Sequence, residues 1–507
     1  MRRFLPISIS FALSGLLLLG GAIGSDVRFA QAGDAAAPSR PKNVLFIAID
    51  DLRPELGCYG QRYIQSPHID QLASEGVRFD HAYCQYAVCW FSRASVMTGL
   101  RPSTFKTAEF RKTVPNVVTF SQHFKRHGYF AQSLGKIYHG SFSNAYLRDQ
   151  MQDPQSWSAP RWTAGPRYYY TPAGVAEAQR VYAQTLAQDQ KSPPSSPDEW
   201  TEHFVRALPS EAPEIDDDVA YDGQLTQVAI RKMREVKDRP FFLAVGYLKP
   251  HLPFVAPKKY WDLYDPDKLP TPEQPHKPID APRVAMTNWG ELRAYSQIPR
   301  SGPISQEQAK RLRHGYAACV SYIDAQIGLL LQELDRLGLR DDTIVILWSD
   351  HGFKLGDLGM WAKHTNFEHD TRVPLIIRAP GLPQGVAVDQ IVELLDLYPT
   401  TCQLAGLPLP SHLEGKSMVD VIGDEVPTSQ SVAYSEYRRG GLTGYSLRNH
   451  RYRYTEWHAR SKETNPVKHR ELYDFQGAGE RKNIAASEPK IVEQLCRRLQ
   501  ANLNLAP

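Results

Sequence analysis

Residues 44–51 read Val-Leu-Phe-Ile-Ala-Ile-Asp-Asp, an unbroken apolar run that ends in two carboxylates. Such a run predicts a strand that is buried on both faces, as in a parallel sheet covered by helices. Adjacent carboxylates after a buried strand are costly unless a cation holds them. They could instead cap the next segment, an outcome more natural for one aspartate than for two. Asp50 and Asp51 are therefore candidate metal ligands.

The same pattern, a buried strand followed by charged or imidazole side chains, recurs three times along the chain. Ligands of an open α/β sheet bind beyond the carboxyl ends of its strands, so these residues together predict one site. Taken singly, each of them would be an ordinary surface residue. The predicted strands cover residues 129–134, 241–247 and 343–348, and the residues that follow them are Lys136 and His139, Lys249 and His251, and Asp350 and His351.

Helices alternate with these strands, most clearly over residues 222–236 and 306–337, where apolar side chains recur at spacings of three and four. This alternation indicates an α/β fold with a mostly parallel sheet flanked by helices. After about residue 406 the pattern changes to short alternating strands and a final helix from about residue 489 to 503. We expect a smaller C-terminal antiparallel-sheet subdomain there.

A cysteine and an arginine, Cys89 and Arg93, lie four residues apart in the segment Cys-Trp-Phe-Ser-Arg, which leads into a helix-compatible run ended by Gly99. A nucleophile at the start of a helix gains from the positive end of the helix dipole. The plainer interpretation makes Cys89 a small buried residue and Arg93 a surface charge. Cys89 is more than a buried residue only if the charged residues at the strand ends lie around it.

The N-terminus is typical of a secretory signal. Two arginines precede an apolar run over residues 4–23, and Ala30-Gln31-Ala32 offers a small-x-small cleavage site. An uncleaved membrane anchor is the alternative, which the glycines and the cleavage site disfavour. We therefore predict a signal peptide over residues 1–32, a catalytic domain over 41–406 and a C-terminal subdomain over 407–507. The mature protein would be exported, periplasmic or secreted, and not held in a membrane.

The remaining composition excludes some classes. Removing residues 1–32 takes away three arginines and one aspartate, which lowers the net charge of +4 by two and gives no reason to expect a nucleic-acid partner. The chain has six cysteines, and if Cys89 serves chemistry an odd number remains. A disulfide scaffold is then not the organising principle, although one or two bridges could form. Residues 141–215, rich in proline and aromatic residues, are interpreted as an insertion that shapes a substrate rim.

Taken together, these motifs resemble the sulfatases of the alkaline-phosphatase superfamily, and the resemblance covers nearly the whole chain after the signal. It is closest to the iduronate-2-sulfatase type, because of residues 244–254, of Trp361-Ala362-Lys363, and of a histidine after the second metal aspartate. The motifs that carry it are the Cys-x-x-Ser-Arg segment with Thr98-Gly99-Leu100-Arg101-Pro102, Asp50-Asp51, Gly135-Lys136, Lys249-Pro250-His251 and Ser349-Asp350-His351-Gly352.

The resemblance implies that Cys89 is oxidised to formylglycine before folding, with a formylglycine-generating enzyme as maturation partner. One hydroxyl of its hydrate would attack sulfur, and the other would then lose its proton, expel sulfate and restore the aldehyde. Arg93 would stabilise the ionised hydroxyl, and Lys136 and Lys363 would hold the sulfate oxygens. His139 would act as a base on the second hydroxyl.

Further implied roles concern the leaving group, the metal and the substrate. His251 would donate a proton to the leaving alcohol. One Ca²⁺ per chain would be held by Asp50, Asp51, Asp350 and His351 together with the residue at position 89. The substrate would be a sulfated polysaccharide or oligosaccharide, such as a glycosaminoglycan, and the reaction the removal of sulfate from a sugar.

One position departs from the family motif. Two residues after the cysteine the family usually has proline or alanine, and here the residue is Phe91. This departure keeps a second class of function open, a catalytically silent protein that binds sulfated glycans through an unmodified Cys89. A third hypothesis is phosphoester or phosphonate hydrolysis on the same fold, although one metal plus lysines suits a charge lower than that of phosphate.

Overall fold

The computed structural model describes residues 42–107, 109–139, 152–164, 167–188, 205–422, 431–460 and 466–503. The predicted signal peptide over residues 1–32 and parts of the insertion over residues 141–215 lie outside these ranges. Among the described residues, no helix is long and apolar enough to cross a membrane.

The strands include each apolar run from which the sequence analysis predicted a strand. We number them β1 (Asn43–Ile49), β2 (Val77–Tyr83), β3 (Phe130–Gly135), β4 (Ser210–Glu211), β5 (Phe241–Tyr247), β6 (Phe254–Val255), β7 (Thr343–Ser349), β8 (Lys354–Leu355), β9 (Trp361–Ala362), β10 (Arg372–Arg378), β11 (Val386–Glu393), β12 (Ala433–Arg439), β13 (Leu442–Arg448), β14 (Tyr452–Ala459) and β15 (Val467–Asp474).

The helices include both predicted long ones and several single turns. They are α1 (Pro67–Ser74), α2 (Cys89–Thr98), α3 (Pro102–Phe105), α4 (Phe120–Arg126), α5 (Pro172–Gln188), α6 (Tyr221–Val236), α7 (Lys258–Trp261), α8 (Gly290–Arg293), α9 (Gln306–Arg336), α10 (Glu368–Thr371), α11 (Leu397–Leu404) and α12 (Pro489–Leu503). The longest, α9, begins with a capping box in which Ser305 accepts from the backbone of Gln308.

The central sheet has the strand order β11-β2-β10-β7-β1-β5-β3. Within it β7, β1, β5 and β3 are adjacent and parallel, and β10 runs antiparallel to both its neighbours. Ile49 pairs with Ser349 on one side and with Tyr247 on the other, so these strands end level with each other. The four strand ends picked out from the sequence therefore lie side by side along one edge.

Both faces of the sheet are buried, which explains the unbroken apolar runs. In β1 the side chains of Leu45, Ile47 and Ile49 enter one core, which also holds side chains of α6 and α9. The alternate residues of β1 enter the opposite core, with side chains of α2, α4 and α11. The predicted α/β fold with a mostly parallel, helix-covered sheet is confirmed.

A separate antiparallel sheet, β12-β13-β14-β15, follows near the C-terminus, also as predicted. One face is covered by α12, whose Leu495 and Leu499 pack among side chains of the four strands. Residues Pro41–Pro507 form one compact unit, and the division near residue 406 stays a prediction. All six cysteines lie within the described ranges and are free thiols, so neither of the bridges allowed by the sequence forms.

Candidate active site

The carboxylates that follow β1 and β7 meet at the edge of the central sheet. Asp50, Asp51 and Asp350 are fully buried. Asp350 Oδ1 accepts hydrogen bonds from the backbone N–H of Asp51 (3.2 Å) and of His351 (3.0 Å). His351 Nδ1 lies 3.3 Å from Asp51 Oδ1. Two strand ends that are far apart in sequence are thus locked together by direct bonds.

Cys89 is the first residue of α2, as the sequence indicates, and its side chain points at these carboxylates. Its Sγ lies 3.4 Å from Asp50 Oδ1 and 3.2 Å from His351 Nε2. Only 4% of the residue is exposed. Burial and the neighbouring Asp50 raise the pKa of the Cys89 thiol well above its ordinary value. The expected gain from the helix dipole is therefore outweighed, because burial and a nearby negative charge both oppose the thiolate.

Each buried carboxylate has a cationic partner from another part of the chain. Arg93, fully buried rather than a surface charge, donates from Nε to Asp350 Oδ2 at 2.7 Å. Lys136 donates to Asp50 Oδ2. Although burial raises the pKa of Asp50, the charge of Lys136 and its neighbours holds it well below the ordinary value. Since an unpaired buried charge is strongly destabilising, these pairings allow the cluster to exist.

Lys363 is the cationic partner of Asp51, donating to both carboxylate oxygens at 2.8 Å. Burial raises the pKa of Asp51 by more than the charge of Lys363 lowers it, so that the pKa is raised to about 7. The backbone of Asp51 is also constrained, with a positive φ of 64°. Its carbonyl accepts from the hydroxyl of Tyr316 at 2.9 Å, so a residue of the apolar stripe on α9 also fixes the site.

His251 follows β5 in a loop that buried side chains hold. Asp222 accepts from the backbone N–H of Leu248 (2.8 Å) and of Lys249 (3.0 Å). The ammonium of Lys249 turns back to the carbonyls of His251 and Pro253, so Lys249 braces the loop. With this support, the imidazole of His251 reaches to within 3.9 Å of Asp51.

Glu291, on the single turn α8, is a site residue that the sequence did not reveal. Its carboxylate lies 3.1 Å from His251 Nε2 and accepts from Lys363 Nζ at 3.1 Å. His251 Nδ1 lies 2.6 Å from the Leu252 carbonyl, so both ring nitrogens face acceptors. Burial lowers the pKa of His251, with Lys363 adding to the effect, whereas Asp50 and Glu291 oppose it. Glu291 thus favours the protonated ring.

His139, the last of the predicted site residues, follows β3 at the margin of the cluster. Its ring lies beside that of Trp90, with centroids 6.0 Å apart, and Trp90 is 42% exposed. Its Nδ1 is buried and has no hydrogen-bond partner among the described residues. Burial and the nearby Lys136 lower the pKa of His139 to about 3. The ring is therefore neutral at neutral pH and, in this state, a weak base.

Phe91, which departs from the family motif, fits an aromatic slot formed by a loop residue, by a residue of α3 and by the strand β12 of the C-terminal sheet. Its ring stacks on Tyr86 with centroids 4.6 Å apart and lies 6.0 Å from Phe105. The guanidinium of Arg438, on β12, lies 5.5 Å from the ring centroid. In the folded protein, Phe91 is therefore a packing residue that points away from the carboxylate cluster.

The second sheet also holds the segment that follows Lys363. Arg439 donates to the carbonyl of His364, and Asn366 Nδ2 donates to the carbonyl of Gly444 at 3.0 Å. Two arginines, Arg448 and Arg453, converge on Glu368 at 3.0 and 2.6 Å. The C-terminal sheet is therefore part of the support of the site.

The donor set fits a divalent cation. One donor atom each from Asp50, Cys89, Asp350 and His351 lies within 4.8 Å of the others, and Asp51, Cys89 and His251 form an overlapping group. Carboxylate oxygens suit a hard cation such as Ca²⁺, and one imidazole is a softer addition. The raised pKa of Asp51 indicates that further positive charge would stabilise this cluster.

Sequence comparison identifies the family. The profile described as Sulfatase matches residues 42–407. The chain belongs to the sulfatase family. A second profile, N-sulphoglucosamine sulphohydrolase, C-terminal, matches residues 356–505 of this sulfatase. Iduronate 2-sulfatase of Mus musculus is 33% identical over 532 residues, with 89% of this chain and 90% of the mouse protein covered. The sulfatase is thus a sulfuric ester hydrolase that resembles the iduronate-2-sulfatase type.

Solved structures agree with this sulfatase in fold. The phosphonate monoester hydrolase of Silicibacter pomeroyi superposes with a TM-score of 0.71 at 22% identity, covering 92% of this chain and 96% of that one. A structure solved with its substrate D-glucosamine-2-N,6-O-disulfate has a TM-score of 0.67 at 22% identity, covering 91% and 98%. The fold is therefore shared by a phosphonate monoester hydrolase and by a protein whose substrate is a sulfated sugar.

Replacing Glu291 tests its effect on His251. Glu291→Gln keeps the shape of the side chain and removes its charge, so the pKa of His251 falls further below its ordinary value. Because the protonated ring is then lost at lower pH, the alkaline limb of kcat/KM for a sulfated sugar shifts to lower pH. Titration of the His251 ring by NMR gives the same shift directly.

Glu307→Gln is the matched control, since Glu307 is an exposed glutamate at the start of α9. The pH profile of Glu307→Gln should be the same as that of the protein without substitutions. An unchanged His251 titration in Glu291→Gln contradicts the coupling.

Proposed function

We propose that this sulfatase removes sulfate from a sulfated sugar, with formylglycine made from Cys89 as nucleophile and with a bound divalent cation. The observation that carries the proposal is the convergence of four strand ends, those of β1, β3, β5 and β7, with the start of α2 around the side chain of Cys89. Around it lie three buried carboxylates, two lysines and one arginine. Such a dense array of buried charges is expected at a catalytic centre rather than at a binding surface.

The state of Cys89 supports the modification. Its thiol lies against Asp50, and its raised pKa keeps it protonated at neutral pH. A protonated thiol is a poor nucleophile, so an unmodified Cys89 is badly placed to attack a sulfate ester. The ionised hydroxyl of a formylglycine hydrate would meet the same burial and the same carboxylate, so it depends on the positive charges around it.

Asp50, Asp51, Asp350 and His351 would hold the cation, in this family usually Ca²⁺, beside the residue at position 89. When bound, it supplies positive charge to the nucleophilic oxygen and to the sulfate. The buried guanidinium of Arg93 pairs with Asp350 and lies 3.7 Å from Asp50. It would therefore add its own positive charge beside the nucleophilic oxygen. Fixed charges of this kind stabilise a transition state without reorganisation.

Lys136 and Lys363 flank the Asp50-Asp51 pair, and we assign to them the binding of sulfate oxygens. Each ammonium is held by a carboxylate of the cluster, which fixes its position before substrate arrives. To His139 we assign the role of base toward the nucleophilic residue, because its buried Nδ1 has no hydrogen-bond partner among the described residues and is open to a proton.

His251 is assigned to the leaving alcohol. Its Nε2 faces Glu291 at 3.1 Å, and its Nδ1 faces the Leu252 carbonyl at 2.6 Å. With both nitrogens against acceptors, the ring can carry the proton that a departing alkoxide needs. A sugar hydroxyl is a poor leaving group, so this proton matters more for a sugar sulfate than for an aryl sulfate.

The substrate class and the maturation route complete the proposal. The likeness to iduronate 2-sulfatase supports a sulfated polysaccharide or oligosaccharide as substrate. The signal-like residues 1–32 support export to the periplasm or the medium, and a formylglycine-generating enzyme would act on the chain first. If Cys89 is never modified, the alternative is a silent protein that binds sulfated glycans.

The chemical state of Cys89 tests the nucleophile. In a host that modifies other sulfatases, the tryptic peptide containing residue 89 should carry an aldehyde, detected by mass spectrometry and by capture with a hydrazide. A quantitative thiol in that host contradicts the proposal and favours the glycan-binding alternative.

Replacing Asp350 tests the assigned metal site. Produced in the same host, Asp350→Ala should lower kcat/KM for an aryl sulfate by at least about a hundredfold, because it removes a carboxylate that faces the nucleophile.

Asp341→Ala is the control for Asp350→Ala, because Asp341 is an exposed aspartate in the turn before β7. It should retain full activity, and both variants should keep the circular dichroism of the folded protein. Retained activity in a folded Asp350→Ala rules out the assigned metal site.

The role of His251 is tested by varying the leaving group. His251→Ala should lower kcat by about a hundredfold or more for a sugar sulfate, and by less than about tenfold for a nitrophenyl sulfate. Across a series of aryl sulfates, the loss should grow as the leaving group becomes more basic. His276→Ala, at an exposed loop histidine, should leave every rate unchanged. An equal loss for all leaving groups contradicts proton donation by His251.

A further inference from the structure

A second cluster of metal-ligating side chains lies outside the candidate active site. His81 is on β2, Asp389 is on the edge strand β11, and His450 is in the turn between β13 and β14. One donor atom from each of the three lies within 4.8 Å of the others. The cluster therefore joins two adjacent strands of the central sheet to the C-terminal sheet.

The contacts within the cluster leave nitrogen atoms available. His81 Nε2 lies 2.9 Å from Asp389 Oδ1. The rings of His81 and His450 meet edge to face, with centroids 5.2 Å apart. His81 Nδ1 and His450 Nε2 are both buried and lack a hydrogen-bond partner among the described residues. His81 Nδ1 points away from Asp389, which Nε2 of the same ring faces, so the unpaired nitrogen available to this group is His450 Nε2. Since buried polar atoms are nearly always paired, an unpaired imidazole nitrogen beside a carboxylate and a second imidazole indicates a missing ligand.

The donor types determine which ligand fits. Two imidazoles and one carboxylate form the protein part of an open Zn²⁺ site, whose fourth position is taken by water. The Asp389 side chain is 57% exposed, which gives water access to that position. Calcium prefers six or more oxygen ligands and is poorly matched by this set.

The surroundings suit neutral imidazoles. Burial lowers the pKa of His81 and of His450, and the charges of Arg372 and Arg448 also lower that of His81. Glu368 and Asp389 oppose them, and Glu368 is bonded to Arg448 at 3.0 Å, which offsets part of the positive charge. A metal ion binds only the deprotonated nitrogen, so a depressed pKa leaves the rings ready to ligate.

We propose that His81, Asp389 and His450 bind a divalent transition metal of the zinc type, which fastens the C-terminal sheet to the edge of the central sheet. Zinc lies about 2.0–2.1 Å from nitrogen and oxygen ligands, which places tetrahedral donors roughly 3.3 Å apart. His81 Nε2 and Asp389 Oδ1 lie 2.9 Å apart, in direct contact, so a small separation of the two side chains admits an ion between them. His450 lies in a turn, and its donor nitrogen is within 4.8 Å of the other two donor atoms.

The site is measured on untagged full-length protein in excess Ca²⁺, so that the calcium-type site near Cys89 is filled. Titration with Co²⁺ should give the visible absorption of a nitrogen-ligated ion at one equivalent, and Zn²⁺ should displace it. His81→Gln, His450→Gln and Asp389→Asn should each weaken this binding by at least about tenfold. Zn²⁺ should raise the Tm of the protein without substitutions and leave that of His450→Gln unchanged.

Two controls separate this site from the others. His469→Gln, at an exposed histidine of β15, should bind Co²⁺ as tightly as the protein without substitutions. Asp350→Ala should do the same. Equal Co²⁺ binding by the protein without substitutions and by His450→Gln, which changes one half-buried side chain in a turn, overturns the proposal. Loss of the signal in Asp350→Ala with retention in His81→Gln also overturns it, because the ion would then lie near Cys89.

Discussion

Mutual neutralisation of buried charge is the interaction on which the rest of the structure depends. Asp50, Asp51 and Asp350 have no access to water, and each is paired with a cation that comes from a distant part of the chain. Without Lys136, Lys363 and Arg93, the edge of the sheet would hold several uncompensated charges, each worth kilocalories of destabilisation. The fold must therefore bring β3, α2 and the loop after β9 to one place, and this requirement fixes where the catalytic chemistry can occur.

The sequence predicted the central sheet because its physical signal is strong. Strands buried on both faces must be apolar throughout, and a charged residue directly after such a strand can only lie at its end. Four such ends, at Asp50, Lys136, His251 and Asp350, proved to be adjacent and parallel. The reversed direction of β10 was not foreseen, because an apolar run carries no information about strand direction.

Other parts of the site gave no such signal. Glu291 lies within a proline-rich stretch, on a helix of a single turn, with no periodicity around it. Its importance comes from contacts with Lys363 and His251, which are distant in sequence. Tyr316 is buried on α9, within the apolar pattern that predicted this helix, yet its hydroxyl also fixes the carbonyl of Asp51. The pKa of the Cys89 thiol rose rather than fell, because burial outweighed the helix dipole.

The C-terminal sheet has a larger role than a separate appendage would have. It holds the segment after Lys363 through Arg439 and Asn366, and Arg438 covers the ring of Phe91. Loosening this sheet would therefore disturb both Lys363 and the aromatic slot beside Cys89. Its attachment to the central sheet thus bears on the geometry of the candidate site.

The depth of Cys89 has a consequence for the life history of each molecule. A residue that is 4% exposed and fixed in the first turn of a helix cannot enter another enzyme's active site once the chain has folded. Under the proposed conversion of Cys89, maturation must therefore precede folding, and the outcome is decided once for every chain. A preparation would then contain two populations with the same fold, one with the aldehyde at position 89 and one with the thiol. Their ratio would record the history of synthesis rather than any property of the folded state.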